Sequence, residues 1–116
     1  MEYVVTRNGT TLVTVHEDTG TTARKLARSE IDATLGALAD DDDIAAWTID
    51  TVDVYEPPTA PFEPYTVSVS FSVTVSVSAS DASAAEREGA AVIDDVLAGA
   101  NVDGISYTSA PASTAV

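Results

Sequence analysis

The clearest pattern in the chain lies between Tyr65 and Ser80. Tyr65, Val67, Val69, Phe71, Val73, Val75, Val77 and Ala79 alternate with Thr66, Ser68, Ser70, Ser72, Thr74, Ser76, Ser78 and Ser80. A period of two predicts a strand with one apolar face and one hydroxyl face. At ~3.3 Å per residue such a strand reaches about 50 Å, well beyond the usual range of roughly 3–10 residues. It is therefore expected to bend, or to run past the body of the protein as an arm.

Two segments carry helical spacing instead. Over 21–38 the apolar positions are Ala23, Leu26, Ala27, Ile31, Leu35 and Leu38, with Thr19 or Thr21 as the cap. Over 82–99 they are Ala85, Gly89, Val92, Ile93, Val96 and Leu97; Ser83 and Glu86 have capping-box spacing, and Gly99 or Asn101 ends the helix. Near the start, residues 3–7 and 10–16 are β-rich runs around Asn8-Gly9, a dipeptide suited to a type I′ turn, so a hairpin is expected. From Trp47 to Tyr55 the alternation slips, with Trp47 and Ile49 in one phase and Val52 and Val54 in the other, which predicts a bulge near Asp50-Thr51. Four of the five prolines, Pro57, Pro58, Pro61 and Pro64, stiffen the connection that follows. A short last strand is expected over 102–108 and a disordered tail over 109–116.

Sliding the chain by 62 positions lays Val13, Val15, Ala23, Ile31, Asp32 and Leu35 on Val75, Val77, Ala85, Ile93, Asp94 and Leu97. Both halves then read strand, helix, strand. The expected fold is a single α+β domain over 1–108 in ββαββαβ order. It is a ferredoxin-like two-helix sandwich with both helices on one face of a mainly antiparallel sheet and one unusually long strand, 65–80.

Charge adds an environment to this architecture. Nineteen acidic residues face five basic ones, for a net charge of −14 on 116 residues, and Lys25 is the only lysine. Yet 45% of the residues are hydrophobic, enough for a core, so disorder is the poorer reading. Self-repulsion at such a charge destabilises a compact state in dilute salt. At molar salt the Debye length falls to about 3 Å and most of that penalty disappears. The balance of few lysines and many Asp, Ala, Thr and Val resembles that of proteins from halophilic archaea and their viruses. Without cysteine there is no disulfide or thiolate site. No leader pattern and no run of roughly 18 apolar residues is visible; a cytoplasmic or virion protein is expected, without membrane association. Direct nucleic-acid binding is not expected of so acidic a chain.

Candidate chemistry is sparse. His16, beside Glu17 and Asp18, is the only histidine and lacks partners for a catalytic set. The Asp40–Asp43 run lacks the spaced ligands and turn glycine of a calcium loop. Arg24, Lys25 and Arg28 gather three of the five cations in the first turns of a helix, where the macrodipole disfavours them. They either pair with nearby acids such as Glu17 and Asp18 or form a contact patch for an acidic subunit or a phosphate-bearing ligand. Trp47, followed by a strand, a turn and Tyr65-Thr66-Val67-Ser68-Val69, is faintly similar to dodecins over residues 12–75. That resemblance implies flavin stacked on the tryptophan, but Thr66 stands where dodecins carry glutamine. No catalytic, metal or cofactor site is expected.

The hydroxyl face is more selective. From Pro64 to Ser80 there is no charged residue, the longest uncharged stretch of a strongly acidic chain. Thr66, Ser68, Ser70, Ser72, Thr74, Ser76 and Ser78 are thus the candidate interface, by sheet-edge pairing or by face packing. The expectation is a non-enzymatic assembly subunit that forms homo-oligomers through this strand. Its compact α+β architecture resembles that of neck and tail components of tailed viruses, here of a haloarchaeal virus. The alternative is a flavin- or phosphate-binding regulatory module of the cell, with Trp47 and the Arg24/Lys25/Arg28 patch lining the site.

Overall fold

The computed structural model describes residues 1–100, 102 and 104–116. The element order is β1 (Glu2–Val15), α1 (Gly20–Asp40), β2 (Ala46–Glu56), β3 (Tyr65–Ser78), α2 (Ala82–Gly99), β4 (Ser106–Tyr107) and β5 (Ala112–Ala115). The strands form one sheet in the order β2-β3-β1-β4, with β5 also paired to β1, and every pairing is antiparallel.

The expected hairpin at Asn8-Gly9 is not formed. β1 is one continuous strand of 14 residues paired along β3 from Glu2↔Ser78 to Val15↔Tyr65. A turn at residue 8 would forfeit half of that ladder. Gly9 instead sits opposite Phe71, and a Cβ there would lie 3.3 Å from Phe71 Cζ and 3.2 Å from Ile105 Cγ2. Glycine is therefore present for close packing under an aromatic ring and not for a turn conformation. The order is accordingly βαββαββ, with one strand fewer than expected before α1.

The long strand does not bend away or leave the body. β3 runs between β1 on one side and β2 on the other, so its length is matched by its neighbours along a molecule 55 Å long. Val67, Val69, Phe71, Val73, Val75 and Val77 are buried, and they share one core with Tyr3, Val5 and Val15 of β1 and with residues of both helices. On β2 the expected bulge is present: the register shifts between Ile49 and Thr51, which keeps Trp47, Ile49, Val52 and Val54 opposite the core-facing residues of β3. A second shift lies between Val54 and Glu56.

Each helix buries four residues at a spacing of four. In α1 they are Ala23, Ala27, Ile31 and Leu35; in α2 they are Ala85, Gly89, Ile93 and Leu97. The two sets coincide under the 62-residue shift, with Gly89 standing where α1 has Ala27. Leu26 and Val92, expected within the stripes, lie at their margins and are both 37% exposed. Thr19 caps α1 in a reciprocal arrangement with Thr22. The cap of α2 is Asp81, whose carboxylate accepts from Ala84 N at 2.8 Å, rather than Ser83 with Glu86. Aspartate two residues earlier already has the extended backbone that a cap requires. Of the two expected terminators of α2, Gly99 is its last residue, while Asn101 lies outside the described residues.

The end of the chain departs furthest from expectation. The strand expected over 102–108, which includes the undescribed Asp103, is the two-residue β4. Residues 109–116, expected as a disordered tail, hold β5, which pairs Ala112–Ala115 with Thr6–Tyr3. β1 has a free edge there, and pairing satisfies backbone groups that a small-residue sequence does not advertise. Tyr107 ties this segment to the domain: its hydroxyl donates to Asp94 Oδ1 at 3.0 Å, and the Arg7 guanidinium lies 4.0 Å from its ring centroid. Burial, together with the Asp94 carboxylate, pushes the Tyr107 hydroxyl up to about 12, and Arg7 offsets part of that. The phenol thus remains a donor at any ordinary pH.

Candidate functional site

Opposite the core, the sheet presents a second face built from the other phase of each strand. β3 contributes Thr66, Ser68, Ser70, Ser72, Thr74, Ser76 and Ser78. The register places Thr14, Leu12, Thr10, Asn8, Thr6, Val4 and Glu2 of β1 beside them in that order. On the other flank β2 sets Glu56, Asp53, Thr51, Thr48 and Ala46 against Thr66, Ser68, Ser70, Ser72 and Thr74. None of the seven β3 hydroxyl residues is buried, and Ser76 and Ser78 are exposed. Leu12 is 47% exposed on the same face.

Cross-strand hydrogen bonds order the middle of this face, at Ser70, Ser72 and Thr74. Thr6 and Thr74 share a hydroxyl–hydroxyl bond of 2.6 Å, and Thr10 and Ser70 one of 3.1 Å. Ser72 Oγ lies 2.8 Å from Asn8 Oδ1 and 2.9 Å from Asp50 Oδ2, its one proton serving either acceptor, while Thr48 donates to Asp50 Oδ1 at 3.0 Å. The middle of the face is thus a pre-ordered set of hydroxyls that spends little side-chain entropy on contact. Its carboxylates lie at the margins, Asp50, Asp53 and Glu56 along β2 and Glu2 at the tip of β1.

One of the two expected modes of contact is narrowed. Along Thr66–Thr74 both edges of β3 are already occupied, so edge pairing is left only to the Val75–Ser78 end on the β2 side. β2 has a free edge, but two register shifts and two aspartates interrupt it, features that discourage strand addition. Face packing remains.

The other candidates are dispersed. Arg24, Lys25 and Arg28 are all exposed near the start of α1, and Arg24 donates to Thr21 Oγ1 at 3.4 Å. Trp47 is half-buried against the core and lies near Gly36, whose Cβ would be 3.8 Å from Trp47 Cζ2. Along α1, Gly36 stands about 12–18 Å beyond the basic residues at ~1.5 Å per residue. The tryptophan and the basic patch therefore do not line one site.

His16, Glu17 and Asp18 border an open recess of about 470 Å³ closed on its other side by Pro58, Pro61, Glu63 and Tyr65. Among the described residues no group of three His, Cys, Asp or Glu side chains is placed to hold a metal ion. Glu63 is engaged within its own loop, accepting from Thr59 N at 3.0 Å and Thr59 Oγ1 at 2.8 Å. These bonds hold its carboxyl below the usual range.

The Asp40–Asp43 run closes α1. Asp43 N donates to Leu38 O at 2.9 Å and Asp42 N to Ala39 O at 3.1 Å, a Schellman arrangement with Asp42 in the left-handed region at φ 61°. Glycine avoids the steric penalty of that conformation, and removing a negative charge here suits the negative end of the helix. Asp42→Gly is expected to stabilise the protein by about 1 kcal/mol, read as a higher midpoint in thermal unfolding. A lower midpoint would show that the aspartate has a role beyond closing the helix.

The alternation from Tyr65 marks the hydroxyl strand but not its flank on β1, because Asn8-Gly9 carries the chemistry of a turn. No described helix is long and apolar enough to cross a membrane. No family model, no curated protein and no solved structure matches the chain.

Proposed function

We propose that the protein is a non-enzymatic assembly subunit in which two copies pack through the open hydroxyl face of the sheet. The observation that carries this reading is the neutral centre of that face. Over β1 and β3 it holds hydroxyls, Asn8, Val4 and Leu12, while carboxylates are confined to its rim. On a chain of net charge −14, a broad uncharged surface is the exception. Two strands of 14 residues give it a length of about 46 Å and, at ~4.8 Å per strand, a width of roughly 10 Å. That is roughly 450 Å² of neutral centre, which the flanking strands extend toward the ~800 Å² per partner of a standard interface.

The accompanying reading of the fold is a ferredoxin-like arrangement with both helices on one face and β5 as an addition. The strand order β2-β3-β1-β4 and the single core shared by the two helices support it. Covering one face with helices leaves the other for a partner. The wider setting, a neck or tail component of a haloarchaeal virus, rests on composition and architecture alone.

The test is light scattering with mass determination at about 2 M KCl, where screening is nearly complete. Ser70→Asp combined with Ser76→Asp is expected to abolish the face-packed dimer while leaving the far-ultraviolet circular dichroism unchanged. Ser72 is avoided because a carboxylate there would confront Asp50 within the chain. A double variant that dimerises like the parent would refute face packing.

A further inference from the structure

Phe62 is 98% exposed, and its backbone lies in the left-handed region at φ 70°. Bulky side chains rarely occupy that region, and such strain tends to persist where the surroundings impose it. Here the 57–64 loop is braced from within. Glu63 accepts from both the backbone and the hydroxyl of Thr59, and Glu63 N donates to Ala60 O at 3.3 Å. An aromatic ring is therefore held out into water by a stiff, proline-rich support, with Glu56 and Glu63 near it in the chain.

A recess of about 510 Å³ lies beside the first half of α2. Ala90, Ala110 and Pro111 supply apolar surface, and Arg7, Arg87 and Glu86 border it. Two of the five cations of the chain thus meet at one depression, against a single carboxylate among the described residues. Phe62 shares the lining of its own recess with Glu17 and Asp18, and a ring with such acids near it is the complement of the second recess. The ring covers the apolar floor, and the carboxylates face Arg87, while Arg7 is held in place by the Tyr107 ring and Ser109 O.

The two features cannot meet within one molecule. Arg7 pairs with Val73 in the middle of the sheet, eight residues or about 26 Å along β3 from Tyr65, and the loop lies beyond Tyr65. We propose that Phe62 of one copy docks into the Arg7/Arg87/Ala90/Pro111 recess of a second copy, a head-to-tail contact that joins face-packed dimers into larger assemblies. This inference rests on the self-assembly reading above. Because the knob and the recess are different surfaces, the contact is heterologous and generates a ring or a filament rather than a closed pair.

Phe62→Asn tests it directly, since asparagine tolerates positive φ and the lost ring contributes nothing to the core. The wild type at about 2 M KCl is expected to form species larger than a dimer, and Phe62→Asn nothing beyond the dimer. With no cysteine in the chain, a mixture of Ala60→Cys, in the same loop as Phe62, and Ser83→Cys, at the border of the recess, should form a disulfide-linked pair on mild oxidation. Ser76→Cys in place of Ser83→Cys should not join to Ala60→Cys. Larger species that persist in Phe62→Asn, or absence of the Ala60–Ser83 cross-link, would overturn the head-to-tail contact and leave face packing intact. A wild type that remains monomeric at all concentrations would overturn both.

Discussion

Phe71→Ala is expected to cost about 3–5 kcal/mol of stability, the largest loss from any single truncation in this chain. Phe71 is 1% exposed and is the largest of the fully buried side chains. Its neighbours across the sheet are Gly9 on β1 and Ile49 on β2, so the ring spans the middle of the sheet under both helices' shared core. Gly9 has no side chain with which to fill the space, and the strands on either side cannot close in without breaking a continuous ladder. A cavity would therefore remain, which is the condition for the upper part of the range. Small domains have only about 5–15 kcal/mol to lose, so the variant should fold marginally and only in high salt. Denaturant unfolding at about 2 M KCl measures it, away from charge repulsion. A loss below about 1 kcal/mol would mean that Phe71 does not fill the centre of the core. Phe71→Leu, which keeps most of the volume, should cost distinctly less.

Gly89→Ala is expected to destabilise by about 1–3 kcal/mol, against the direction that helix propensity alone would give. A Gly-to-Ala change in a helix interior ordinarily gains about 1 kcal/mol. At this position the new Cβ would lie 2.5 Å from Val5 Cβ and 2.6 Å from each of its methyl carbons. Val5 is fully buried, so it cannot swing aside, and α2 must move off β1. Val5→Ala should not rescue the variant, because the offending Cβ remains, whereas Val5→Gly should recover part of the loss. Gly99→Ala is the control: nothing lies within 4 Å of a Cβ there, so a neutral or slightly stabilising effect is expected. If Gly89→Ala instead behaves like Gly99→Ala in chemical denaturation, the close approach of α2 to β1 is not real.

Much of this architecture is legible in one dimension because the dominant periodicities are undiluted. The alternation from Tyr65 onward defines a strand and both of its faces, and the phase slip between Ile49 and Val52 marks the bulge. The repeated spacing of four in Ala23, Ala27, Ile31 and Leu35, and again in Ala85, Gly89, Ile93 and Leu97, marks the buried stripe of each helix. These signals are local, since each follows from how a strand or a helix turns its side chains.

The errors share a cause of the opposite kind. Asn8-Gly9 carries the local chemistry of a tight turn, yet a partner strand of equal length and the ring of Phe71 keep the chain straight through it. Residues 112–115 carry no strand signal, yet a free edge on β1 recruits them. Trp47 and the Arg24/Lys25/Arg28 patch are both features of a ligand site when taken along the sequence, and the helix that bears one and packs on the other holds them apart. In each case the deciding contact joins residues far apart in the chain, which no window along the sequence contains.

The hydroxyl strand shows the same division. Sequence by itself determined that Thr66 to Ser78 form an uncharged face in a strongly acidic chain, because alternation and charge are both properties of residue order. Tertiary structure alone decided which of that strand's surfaces stays open. With β1 and β2 bonded to its two edges and the core against its valines, the hydroxyl side is the surface left to water. Backbone pairing closes edges and apolar burial closes one face; small polar side chains gain little from either, and so remain outside.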